Sequence, residues 1–251
     1  LILDRLYYEL KIMGRWATLT PLLIVMGTIP LTFLLFALKT DPKRFLMAVP
    51  EMLLPLVGGV VVGAVITQDS ALELHLTVPR KYHLTGMLRL ALVLLSIGCI
   101  ALLFINLLPV FNLLYVPPQE QILFSPFQLL VIRQGIWFAP LLWCIAVGFC
   151  FSLIMQGWTG NVALLGGIWV IEIVFKDLIA LNDWLRPTLL FPTTLLFFGI
   201  SDGTPSAVLS FFDTYWLTTR FELIGTAVVL LMLGWLLLRQ TERMLKGTTV
   251  E

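Results

Sequence analysis

The chain has 251 residues, 59% of them hydrophobic and 12% charged, with a net charge of +1. Soluble domains carry about 25% charged residues, so half that share, with no long hydrophilic block, excludes a water-soluble globular domain. The near-neutral balance supplies no basic field for nucleic acid. Cys99, Cys144 and Cys150 sit inside apolar runs without metal-type spacing and read as buried free thiols.

Residues 1–15 do not read as a signal peptide, because no leading basic region precedes an apolar core. Leu3, Leu6, Tyr7, Leu10 and Met13 recur at helical spacing, with Asp4, Arg5, Tyr8, Glu9 and Lys11 mainly opposite. Arg5 and Glu9 are spaced to pair at i,i+4. This pattern predicts a helix lying in the membrane interface, as a topological anchor or as a working part.

A membrane helix needs about 20 mostly apolar residues. Six segments meet that length: 16–38, 45–67, 85–108, 134–155, 162–181 and 218–238. Glu51 falls near the outer end of the second. The stretch from Gln134 to Ile171 has no charge and is too long for one helix, so the polar, glycine-containing turn 156–161 divides it. Residues 109–133 and 186–215 are less regular. The apolar run 188–200 is short, contains Pro192, and reads as re-entrant or interfacial. The predicted class is an all-α polytopic membrane protein of six transmembrane helices, with an N-terminal interfacial helix and a re-entrant segment before the last span.

With both termini inside, the cytoplasmic side holds Arg5, Lys11, Arg15, Arg80, Lys81, Arg89, Arg239, Arg243 and Lys246, nine in all. The outer side holds the seven others: Lys39, Lys43, Arg44, Arg133, Lys176, Arg186 and Arg220. That bias sets the expected orientation.

Two places can carry mechanism. In the loop 68–84, Asp69 or Ser70 caps a short helix that Pro79 ends. Ala71, Leu72 and Leu76 then face one side and Glu73, His75 and Thr77 are more polar, a pattern that suits docking into a partner's groove and equally suits a solvated turn. Glu172 and Lys176 lie four apart within span five. Either charge alone at mid-membrane costs about 2.5–3.5 kcal/mol. Their pairing marks either a polar element of a translocation route or subunit interface, or an ion pair at the outer boundary. Gly58, Gly59, Gly63, Gly148, Gly166 and Gly167 permit close helix approach, and Trp137, Trp169, Trp184 and Trp216 include interface anchors.

The order of interfacial helix, two spans, a Leu-Glu-containing loop ending in proline, and four more spans resembles ABC-2-type transporter permeases. Asp69, Leu72, Glu73 and Pro79 fall where that family shows an acidic residue, Leu-Glu and Pro. The family more often has Glu and Gly-Thr where Gln68, Asp69, Ser70 and Ala71 stand. The run from Trp216 through Arg239 is similar to the family's last span, and 186–200 to its re-entrant helices. The resemblance implies a coupling helix at Ala71, Leu72, Glu73, Leu76, Pro79 and Arg80 that seats in an ATP-binding cassette ATPase. ATP and Mg then belong to that partner, with no cofactor in this chain. A second permease subunit completes the transporter, in the plasma membrane (the inner membrane of a bacterium), exporting lipid, glycan, peptide or drug-like cargo.

No nucleotide-binding loop is present, since Lys246, Gly247, Thr248 and Thr249 lack preceding glycines. There is no His-Glu-x-x-His pair, and both histidines fall in one loop. A membrane enzyme using Glu172, Lys176 and the 156–161 turn on a lipid, or a non-catalytic scaffold, are the competing readings.

Overall fold

The computed structural model describes residues 8, 9, 11, 14–39, 42–67, 82–111, 124–155, 157–196 and 207–239. Among these, every regular element is helical, and the chain is an all-α polytopic membrane protein. The elements are α1 (Gly14–Ala37), α2 (Lys43–Ala48), a π turn (Val49–Leu53) and α3 (Leu54–Thr67), followed by α4 (Tyr82–Leu107) and a 3-10 turn (Leu108–Phe111). Then come α5 (Pro126–Met155), α6 (Trp158–Leu181), a 3-10 turn (Arg186–Thr188), α7 (Pro192–Leu196) and α8 (Ala207–Arg239).

Among the described residues, five helices are long and apolar enough to cross a membrane: Leu19–Ala37, Phe45–Thr67, His83–Val110, Pro126–Met155 and Tyr215–Arg239. The other expected span, α6, has 24 residues but bends at Phe175, whose φ of −106° and ψ of 18° leave the helical region. Its regular stretch, 158–174, is at the short end of what spans a bilayer. Two helices outrun expectation. α5 begins at Pro126 rather than at 134, and α8 at Ala207 rather than at 218. Hydropathy locates the apolar part of a helix, but helical hydrogen bonding continues through the less apolar turns beyond the hydrocarbon.

Helix α5 is the axis of the bundle, with Ile136, Leu141, Cys144, Ile145, Phe149 and Ser152 buried. It packs most extensively on α3 and α8, and also on α4 and α6. The α3–α5 crossing is set by glycine. A Cβ at Gly148 would lie 2.3 Å from the Gly59 carbonyl oxygen, and one at Gly59 would lie 2.6 Å from the Cys144 carbonyl oxygen. Only hydrogen at both positions lets the two backbones meet this closely. Asn161, near the start of α6, closes the same seam by donating from Nδ2 to the Gly59 carbonyl at 3.0 Å. By contrast, Gly166 and Gly167 face open space, with no packing neighbour among the described residues.

Most of α1 lies on the periphery, with Leu23, Met26, Phe33 and Phe36 exposed to what would be lipid. Cys99 is exposed on α4, whereas Cys144 and Cys150 are buried as expected. Trp137 and Trp216, expected among the interface anchors, belong to the core, and Trp184 is 92% exposed.

Candidate functional site: a buried charge cluster around an extended segment

Between the 3-10 turn at Arg186–Thr188 and α7, the chain passes through the protein interior without regular structure. Leu189, Leu190 and Phe191 are fully buried. The Leu189 N–H still bonds to the Arg186 carbonyl at 3.1 Å, but the extended backbone beyond it has no regular ladder, and its polar groups must find other partners. Three charged side chains, one from each of three elements, supply them.

Glu172 on α6 accepts from the Leu190 N–H, at 3.0 Å to Oε1 and 3.1 Å to Oε2. Arg220 on α8 donates from Nη1 to the Leu190 carbonyl at 2.8 Å. Its Nη2 donates to Glu51 Oε1 at 2.7 Å. Glu51 also accepts from the Thr193 N–H at 3.0 Å, from the Thr194 N–H at 2.5 Å and from the Thr194 hydroxyl at 2.6 Å. The first N–H groups of a helix have no intrahelical acceptor, so Glu51 caps α7 from a distant part of the chain. Pro192 opens α7 and has no N–H to satisfy.

All three charges are inside the protein: Glu51 is 0%, Arg220 2% and Glu172 3% exposed. The local fold aims each of them. Pro50 has no amide hydrogen to continue the helix, and the ladder widens there, with the Leu54 N–H reaching the Val49 carbonyl. That π turn buries Glu51. Arg220 lies one turn beyond Trp216, and its guanidinium carbon is 5.6 Å from that ring centroid. Arg220 Nε and the Thr193 hydroxyl have no hydrogen-bond partner within the cluster.

Lys176 does not join Glu172. The bend at Phe175 comes between them and leaves Lys176 half-buried while Glu172 turns inward. The i,i+4 pair expected of a regular helix is therefore replaced by the link from Glu172 to the Leu190 backbone. Nor does the 156–161 turn converge with these residues. Asn161 is bonded to Gly59, and it lies eleven residues, about 16 Å of helix, before Glu172.

A second buried ion pair lies at the other end of the bundle. Arg89 Nε donates to Glu9 Oε2 at 2.8 Å, with the two side chains 1% and 4% exposed. Glu9 was expected on the solvated face of the N-terminal helix, and it is instead fastened to α4, while Tyr8 and Lys11 are exposed. The rest of the amphipathic pattern (Leu3, Arg5, Leu6, Tyr7, Leu10 and Met13) lies outside the described residues, as do Asp69, Ala71, Leu72, Glu73, Leu76, Pro79 and Arg80.

The sequence did hold a signal for the cluster. Glu51, Glu172 and Arg220 are charges set into apolar spans, all in the part of those spans nearest one face of the membrane under the expected topology. Three such charges of mixed sign at one level are cheap to bury only together. Comparison with protein-family models, with curated proteins and with solved structures finds no match to this chain.

Proposed function

We propose that this chain is the membrane-spanning permease subunit of an ATP-binding cassette exporter of the ABC-2 type. A separate ATPase carries the ATP and Mg and docks on residues 71–80. The observation that carries the reading is the way the helix following that loop is gripped. Arg89 is bonded to Glu9, His83 stands edge-on to Trp235 of α8 at 6.1 Å between ring centroids, and Gly86 allows Leu238 to approach it closely. A push on the loop would therefore move the N-terminal segment, α4 and α8 together, as a coupling element requires. The buried α7 segment before the last span supports the same reading, because it is the counterpart of the family's re-entrant helices.

The proposed cargo is a lipid, glycan, peptide or drug-like molecule, moved outward across the plasma membrane with both termini cytoplasmic. The chain's own axis is filled by α5, which favours a route along the boundary with a second permease subunit. The test is co-expression with an ATPase encoded beside this chain, comparing wild type with Glu73→Ala and Leu76→Asp. Both variants should lose complex formation and transport-coupled ATP hydrolysis while still inserting in the membrane. Unchanged coupling would remove the docking assignment, and activity of the purified chain on a lipid without nucleotide or partner would point to an enzyme instead.

A further inference from the structure

The two acids of the buried cluster are not equivalent. Glu51 accepts four hydrogen bonds, one of them from the Arg220 guanidinium. Glu172 is 3% exposed, and its oxygens accept from main-chain N–H groups of the buried segment, first that of Leu190 at 3.0 and 3.1 Å, and from no cation. An ionised carboxylate offers about four acceptor positions, and burying it with neutral main-chain donors alone leaves part of its lost hydration unreplaced. A buried acid so placed is held more cheaply with its proton on.

The surrounding charges point the same way. Arg220 of α8 bonds to Glu51 and to the Leu190 carbonyl rather than to Glu172. Glu51 of the π turn is a like charge. The titratable group facing Glu172 from α5 is the uncharged thiol of Cys144. Arg186 of the neighbouring 3-10 turn is engaged by Asp183 and by the ring of Tyr215. The buried segment from Leu189 to Thr194 adds no titratable group. Lys176, on the same helix, lies beyond the bend. One guanidinium thus stands against two carboxyl groups. The cluster is electrically neutral only when one of the two carries a proton, and Glu51 is the one bonded to the guanidinium.

We propose that Glu172 is a proton-binding site, carrying a proton while the segment 189–194 is seated against it. The site follows from its own geometry and does not depend on what drives the protein.

The experiment uses the full-length chain in lipid nanodiscs. A hydrophobic carbodiimide adds to protonated carboxyl groups and not to carboxylates. Mass mapping should find it on Glu172 at neutral pH, with labelling declining as pH rises, and should find Glu51 unmodified. Infrared difference spectra of wild type against Glu172→Gln should show a protonated-carboxyl carbonyl band that the variant lacks. The infrared result decides the matter where the reagent cannot enter. Glu172→Gln should also fold with its melting temperature close to that of wild type, since an amide imitates the neutral acid. Absence of the band, or a Glu172→Gln variant as damaged as Glu51→Gln, would overturn the assignment.

Discussion

Glu51 and Arg220 are 169 residues apart in sequence and meet at 2.7 Å with almost no exposure. Removing one partner of a buried ion pair strands the other, which costs about 3–5 kcal/mol, whereas removing both can be close to neutral. Glu51→Gln keeps an acceptor for the Thr193 and Thr194 amides but leaves the guanidinium without its counter-ion. Arg220→Met leaves Glu51 without its counter-ion and frees the Leu190 carbonyl. Each single substitution should lower the thermal stability of the purified protein sharply, and the double substitution should fall well short of their sum. Additive losses would mean that the pair is not coupled. Sequence reasoning saw Glu51 and Arg220 only as charges near a membrane boundary, because hydropathy assigns depth and not direction around the helix. It was the π turn at Pro50 and the unsatisfied backbone at Leu190 that gave those charges a place to go.

Among the elements, the α3–α5 contact offers the simplest control on the fold. At Gly148 an added methyl would meet backbone of α3 at 2.3 Å, and backbone cannot swing aside as a side chain can. Gly148→Ala should therefore separate the helices and reduce the yield of folded protein, by an amount comparable to other overpacked cores, about 1–3 kcal/mol. Gly225→Ala, on α8 with nothing within 4 Å, should be neutral or slightly stabilising. Fluorescence-detected size exclusion of the two variants side by side would separate these outcomes, and equal behaviour would remove the crossing from the account. Helical class and the approximate position of most spans were legible, because runs such as Phe45–Thr67 and Tyr215–Arg239 are long and apolar. The bend at Phe175 was not legible. No proline or glycine stands between Glu172 and Leu178, so the usual causes of a kink are missing from the local sequence. The bend accompanies the fastening of Glu172 to Leu190, a contact that no local pattern encodes. In the same way, the i,i+4 spacing of Glu172 and Lys176 misled because it presumed an unbroken helix.

At the scale of the whole molecule, Glu222 is a charge without a counter-ion among the described residues. The residue is exposed on α8, two residues past Arg220 and so turned away from the cluster. It lies 17 residues, about 25 Å of helix, from Arg239. Lys176 is half-buried on α6, 18 residues or about 27 Å of helix from Trp158, on a helix that packs against α8. An acid and a base on neighbouring helices, each toward the end expected outside, can meet those of a second copy, acid to base and base to acid, about a two-fold axis along the membrane normal. Pairing across such a boundary would relieve the cost of a lone carboxylate facing hydrocarbon. The proposed second permease subunit, where it is a copy of this chain, should therefore dock through the outer halves of α6 and α8. Chains carrying Cys99→Ser with Glu222→Cys, mixed with chains carrying Cys99→Ser with Lys176→Cys, should form a disulfide-linked dimer in membranes on mild oxidation. Either population alone should stay largely uncrosslinked. Glu222→Lys should weaken self-association measured in nanodiscs, and Glu222→Lys combined with Lys176→Glu should restore it. Crosslinking confined to Glu222→Cys alone would place the two-fold axis on α8 itself, and none at all would leave this face to lipid.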